Sequence, residues 1–287
     1  MTKTTENKVE QFVTIQRLER GRTTVFLLST SALVMNRMAE KARQQLLLPS
    51  RRTNQATRDR VLKHNPHEEF RNSVYRCRDL DAPTAFHFPH GAFKKAMASA
   101  SIDTEGATKA ETGRLVKILD ETVHVYGLPY LYMDVVRQAG IGRTPDIRTR
   151  AMFPAWACKL TVQYITTRIR EVDIVNLLAN AGDVCGIGDG RTEKGTFDYG
   201  SFELVNANDP RWLDIVNNQG RDAQLNAMEQ EIPVNADTAE LLSWYDGEIV
   251  RREKDRKPEK EATVPKIAGA VSKGNGRRRP SAGEAVS

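Results

Sequence analysis

Asn180-Ala-Gly-Asp-Val-Cys-Gly-Ile-Gly-Asp-Gly-Arg-Thr-Glu-Lys-Gly-Thr-Phe-Asp-Tyr-Gly-Ser-Phe-Glu-Leu-Val205 is the stretch on which the fold turns. Ahead of it, Val172, Val175, Leu177, Leu178 and Ala181 recur at helix-face spacing, and Glu171 and Asp173 suit the positive end of a helix that stops near Gly182. At its end, Phe202, Leu204 and Val205 set against Ser201 and Glu203 predict a short half-buried strand. Between them lie Gly186, Gly188, Gly190, Gly195 and Gly200, with Arg191 and Lys194 interspersed. Glycines of this density either make a tight helix-to-strand connection or expose successive amides as a nest for an anion.

The order of elements excludes one reading. A dinucleotide fingerprint needs a strand, then the glycines, then a helix whose N-terminus takes the pyrophosphate, and here helix and strand are reversed. No G-x-x-x-x-G-K-[ST] run occurs.

A helix, a G-x-G loop with basic residues and a further glycine before a late strand resembles the signature of the RAMP superfamily, the RRM-like RNA-binding proteins of CRISPR systems. The family's loop is G-x-G, about five residues, then G-x-G; here Thr196-Phe197-Asp198-Tyr199 splits the second pair, Gly195 and Gly200. The chain is also similar to uncharacterised phage-encoded proteins with an Arg-rich strand, a Phe-Pro-x-Trp turn and this loop. The resemblance spans roughly residues 10 to 206. It implies an RRM-like sheet and a loop that packs on the sheet and helps to hold RNA.

Charge is unevenly placed. Of 43 Lys and Arg and 37 Asp and Glu, 11 and 5 fall between Arg251 and Ser287, which leaves 32 of each before them. The body is therefore balanced and the tail carries the whole net charge of +6. Pro258, Pro265, Gly269, Gly274 and Gly276 among basic residues predict a disordered tail. No segment approaches the roughly 18 apolar residues of a membrane span, and the polar N-terminus has no signal-peptide pattern. A cytoplasmic protein is expected, in the host cytoplasm if phage-encoded. Cys77, Cys158 and Cys185 are widely separated and suit buried or half-buried positions rather than a disulfide framework or a zinc site.

Along the chain, Gln11–Arg20 and Thr23–Leu28 read as a hairpin turning at Arg20-Gly21-Arg22, and Ala32 to about Leu48 as a helix. The run 49–67 is basic and reads as a loop or a phosphate-contacting insertion. Thr84–Phe88 reads as a strand leading through Pro89 into a helix, Ala92–Ala100, whose first turn would hold Lys94 and Lys95 near free amides. A similar helix follows an early strand in RAMP-like backbone proteins. Ala110–Asp120 reads as a helix and Val123–Val136 as a strand region broken at Gly127 and Pro129, with Tyr126, Tyr130 and Tyr132 on one face if unbroken. Gly140–Pro145 is a loop carrying Arg143, and strand alternation from Asp146 sets Arg148 and Arg150 together, opposite Ile147 and Thr149. Side by side they need an anion or a carboxylate over them. After a turn at Pro154-Ala-Trp156, Lys159–Thr166 returns as the second strand of a hairpin. Trp212–Val216, Asp222–Gln230 and Asp237–Arg252 read as helices.

The fold class expected is α+β, an RRM-like or ferredoxin-like antiparallel sheet with helices and inserted loops. Its limits are a flexible N-terminus over 1–10, the main domain over 11–206, a helical extension over 207–252 and the basic tail over 253–287. The site expected on it binds single-stranded RNA or DNA through Lys94, Lys95, Arg143, Arg148, Arg150, Gly186, Gly188, Arg191, Lys194, Gly195 and Gly200. Partners are that strand, copies of the chain or other complex subunits, and no membrane; no cofactor or metal is expected. His64/His67 and His87/His90 lack metal-ligand companions, and no nucleophile motif is present. Some RAMP proteins cleave RNA, so a metal-independent endonuclease with His87, His90 or His124 as general base is one rival reading. The other is an assembly protein whose arginines pair with carboxylates and whose Trp244 helix docks on a neighbour.

Overall fold

The computed structural model describes residues 17–38, 62–137, 144–195 and 197–255. They belong to two compact units, Met1–Ser243 and Trp244–Ser287. The first unit is α+β and RRM-like. Strand β1 (Arg20–Ser29) lies between β8 (Ala157–Ile165) and β9 (Phe202–Val205), and β8 is flanked on its far side by β4 (Val116–Ile118) and β5 (Thr122–Tyr126), with β3 (His87–Pro89) beyond β5. Every pairing in this sheet is antiparallel. Helix α2 (His90–Ala100) precedes β4 and β5, and α4 (Glu171–Asn180) joins β8 to β9. Strand, helix, two strands, helix, strand is the split βαβ plan.

Alternation along the strands produces the core. Val25 and Leu27 of β1, Leu160 and Val162 of β8 and Phe202 of β9 face Phe93 and Met97 of α2 and Leu177 and Leu178 of α4. Residues of opposite parity, Phe26, Leu28 and Ala157, are covered instead by Trp212 and Ile215 of α5 (Pro210–Asn218). The Trp212 ring meets Phe26 edge-on at 5.1 Å. Helix α6 (Arg221–Gln230) places the buried Gln224, whose amide takes the Ala85 N–H and donates to the Val125 and Gly127 carbonyls.

A second sheet runs β2 (Leu33–Met35), β7 (Pro145–Phe153), β6 (Tyr130–Arg137), also antiparallel. It carries α1 (Pro66–Asn72), capped by Asn65. Helix α3 (Lys109–Leu115) starts at Thr108, whose hydroxyl accepts from the Glu111 N–H. The last helix, α7, is Ala236–Asp255. Within the second unit, Glu248 accepts from Arg251 and Arg252, which hold its carboxyl down at about 2.

Several expectations are corrected. Arg20-Gly21-Arg22 is no turn: Gly21 continues β1 opposite Tyr164, and the tyrosine ring lies over it. Leu33–Met35 is a strand and not a helix start, since all three residues are buried and β7 supplies their hydrogen bonds. Helix α3 ends at Leu115 because Val116 and Ile118 turn into the core as β4. Strands β7 and β8 do not form a hairpin; Pro154-Ala-Trp156 passes the chain from the small sheet to the large one, with the Trp156 indole N–H bonded to the Ser31 carbonyl at 3.0 Å. In the same way Gly127–Pro129 separates β5 from β6, so Tyr126 lies under α5 while Tyr132 belongs to the other sheet. The parts of the expected elements that fall in 1–16, 39–61, 138–143 and 256–287, Arg143 and the tail among them, lie outside the described residues.

Candidate nucleic-acid interface

Helix α4 runs on into one π turn, Ala181–Cys185, which delivers the chain to the glycine loop. The two legs of the loop are zipped together: the Ile187 N–H donates to Gly200 O at 3.0 Å, and the Tyr199 N–H to Gly190 O at 3.2 Å. One leg is also tied to the connection between β1 and β2, through Gly200 N–H to Ala32 O at 2.7 Å, and the other to β2 itself, through Asp189 N–H to Val34 O at 2.9 Å. Gly200 makes this possible. It has φ +74°, and a Cβ there would stand 1.7 Å from the Ile187 carbonyl oxygen. The amides of Gly186, Ile187, Asp189, Gly190, Tyr199 and Gly200 all donate to protein oxygens. The anion nest anticipated from the glycines is therefore not built from these amides; they hold backbones close together.

What the loop does form is one wall of a cleft of about 690 Å³. Gly186, Gly188, Asp189, Arg191 and Glu193 contribute to that wall, and Lys95 of α2 and Lys109 of α3 also line the cleft. The lining also includes Asn36, Tyr75 and Pro89. Neither Lys95 nor Lys109 has a carboxylate partner among the described residues, and both are exposed. The two acids are engaged. Asp189 accepts from Asn36 at 2.8 Å and pairs with Arg150 at 3.2 Å. Glu193 takes the Ser99 hydroxyl and the Arg191 guanidinium at 2.8 Å, and these bonds, Ser99 first, hold its carboxyl below the usual range. The guanidinium is thereby fixed in place, with Nη1 also 3.3 Å from Gly188 O. A groove with two uncommitted ammonium groups and one oriented guanidinium is suited to a chain of phosphates.

The expected site residues divide. Lys95, Gly186, Gly188 and Arg191 line the cleft together. Lys94, half-buried, does not; α2 starts at His90, so both lysines fall in its second turn, past the free amides. Lys194 and Gly195 form the exposed outer turn of the loop. Arg148 and Arg150 share a face of β7, as alternation requires, but each meets a carboxylate: Arg148 is 3.3 Å from Asp146, and Arg150, buried, braces Asp189 from behind the cleft wall. Lys109 was not anticipated. It stands at the first position of α3, far along the chain from the loop, and no local pattern marks it.

The histidines lie elsewhere. His87 and His124 are partners across β3 and β5. His124 Nδ1 is 2.9 Å from the Thr84 hydroxyl, which itself donates to Phe86 O at 2.7 Å, so Nδ1 carries the proton. Burial pushes both imidazoles below their ordinary value. His90 is 3.2 Å from Glu121 O. None of the three lines the cleft. Cys158 and Cys185 are buried and Cys77 is half-buried, all as free thiols. Among the described residues no group of His, Cys, Asp or Glu could hold a metal ion, and no helix is long and apolar enough to cross a membrane.

No protein-family model matches the chain, and no curated protein matches it in sequence. Among solved structures, the crystal structure of Cmr6 from Pyrococcus furiosus is similar over 65% of this chain and 98% of that one, at 14% identity and a TM-score of 0.33. A likeness of that degree says nothing of ligand or activity.

Proposed function

We propose that this chain binds single-stranded nucleic acid without catalysis, its phosphates lying in the cleft between α2 and the glycine loop. The observation that carries the reading is the convergence of Lys95, Lys109 and Arg191 on one groove in which the lysines have no carboxylate partner among the described residues. Arg191 is the oriented contact and the two lysines are mobile point charges. Arg150 and the glycines act behind them, by fixing the wall. The RAMP resemblance read in the sequence points the same way, and a phage or mobile-element protein that repeats along a strand fits it.

The test is fluorescence anisotropy of labelled single-stranded RNA and DNA across a salt series, with the full chain, the chain truncated after Asp255, and Lys95→Ala/Lys109→Ala in both. Loss of two phosphate contacts should reduce the slope of log K against log salt by about 1.4, at about 0.7 per contact on a single strand. Binding that depends on the tail alone, and ignores the two lysines, would leave the cleft without this role. The assembly-protein reading is favoured by the carboxylates facing Arg148, Arg150 and Arg191; it predicts self-association in sedimentation and no strand binding by either length of chain.

A further inference from the structure

The segment that splits the glycine pair carries an aromatic column. Tyr132 of β6 is buried at 8% exposure and meets Tyr199 edge-on, centroids 6.2 Å apart and planes at 86°, with the two hydroxyls 3.4 Å apart. Phe197 lies flat on Tyr199, with a centroid distance of 5.2 Å and an interplanar angle of 8°. Phe197 is 36% exposed, and no other ring touches it among the described residues. The column thus begins in the core and ends in water.

Its support is rigid. The Tyr199 N–H is bonded to Gly190 O, and Tyr199 forms a β-bridge with Arg191. The Tyr199 ring is therefore held beside the backbone of Arg191, which lines the cleft, and Phe197 lies against Gly190, where an added Cβ would stand 3.1 Å from its Cδ2. A phenyl ring held parallel to a second ring in an exposed loop contributes little to folding on its outer face. That face has the shape and polarisability to take a third flat ring.

We propose that Phe197 is the stacking site for an unpaired base of the strand whose phosphates occupy the cleft. This rests on the reading of the cleft given above. The ligand class is a planar heteroaromatic ring, taken without hydrogen-bond readout, so the site accepts every base and favours the larger purines.

The experiment compares an oligoadenylate with an abasic strand of the same length and sugar, using the full chain, Phe197→Leu and Phe197→Trp, with thermal melts to confirm folding. The wild type is expected to bind the adenine strand roughly fivefold to tenfold tighter than the abasic one, the lower end of the effect that removal of one stacked ring has. Phe197→Leu should abolish most of that ratio and leave abasic binding within about twofold, while Phe197→Trp keeps the ratio. An unchanged ratio in Phe197→Leu, or equal weakening on both strands, overturns the stacking site and leaves the cleft reading standing. Failure of the wild type to bind either strand removes both.

Discussion

Arg150 Nη1 lies 3.2 Å from Asp189 Oδ2, and the Asn36 amide donates to that same oxygen at 2.8 Å. This contact fastens the small sheet to the wall of the cleft. Arg150 is 9% exposed, and its Nε is buried with no hydrogen-bond partner, so the guanidinium is already under-satisfied and depends on Asp189. Asp189→Ala should therefore cost about 2 kcal/mol, less than the roughly 3–5 kcal/mol for a fully enclosed pair because the Asp189 side chain is partly in water. Arg150→Met, which fills the space without stranding a buried charge, should cost less. Urea melts of the two variants check the order, and a larger loss in Arg150→Met would show that the pair's worth lies in the arginine's packing.

The glycines of the loop should separate into two groups on substitution. At Gly200 an added methyl meets the Ile187 carbonyl oxygen at 1.7 Å, whereas at Gly195 nothing lies within 4 Å and only φ +63° opposes it. Gly195→Ala should cost about 1 kcal/mol and leave strand binding intact. Gly200→Ala must part the two legs of the loop, and a loss above about 3 kcal/mol with weakened binding is expected. Equal, small losses at both positions, read by thermal denaturation, would mean the legs are not joined as described.

Acid should weaken the fold through His87 and His124. Burial holds both imidazoles below their ordinary value, with Lys159 adding to the effect on His124 and Asp120 and Asp79 opposing it; around His87, His124 and Arg37 add to the effect and a bond with the Phe88 backbone opposes it. In the unfolded chain they take up protons near about pH 6.5. As the pH falls below that value the unfolded state binds more protons than the folded one, so stability present above it is lost until the folded imidazoles also titrate. The urea midpoint should drop between pH 7.5 and pH 5, and the drop should shrink in His87→Gln/His124→Asn, where the asparagine amide can still donate to Thr84. An undiminished drop in the double variant would assign the acid sensitivity to other groups.

The readable parts of this chain are those whose signal is local. Helix α4 and strand β9 each follow from apolar spacing inside their own 10 and 4 residues, and α2 from Pro89 and the alanine-rich run after it. Long-range partners decide the rest. Arg20-Gly21-Arg22 carries a turn signal, yet Tyr164 across the sheet needs the space above Gly21. Three consecutive buried residues, Leu33–Met35, have no period to read. Neighbouring strands on either side of Trp156 look like a hairpin because nothing local records that they enter different sheets. At the site, Lys95 and Arg191 were legible as basic residues near glycine-rich or helix-start segments, whereas Lys109 reaches them only through the packing of α3.

The cleft is not the first unit's only basic surface, and the contrast provides a control. On the face of the large sheet turned away from α2 and α4, Arg22 and Lys117 flank Gln163 as its cross-strand partners on β1 and β4, exposed and without a carboxylate partner among the described residues. Neither Arg22 nor Lys117 lines the cleft that holds Lys95, Lys109 and Arg191, and Phe26 on the same face is covered by Trp212. Arg22→Ser/Lys117→Ser removes the same charge as Lys95→Ala/Lys109→Ala, so a purely electrostatic attraction would fall equally in both. The cleft pair is expected to lose about tenfold in affinity at moderate salt and the sheet pair less than about threefold. Matching losses, measured by anisotropy on one strand at one ionic strength, would replace the cleft with the general field of the protein as the source of binding.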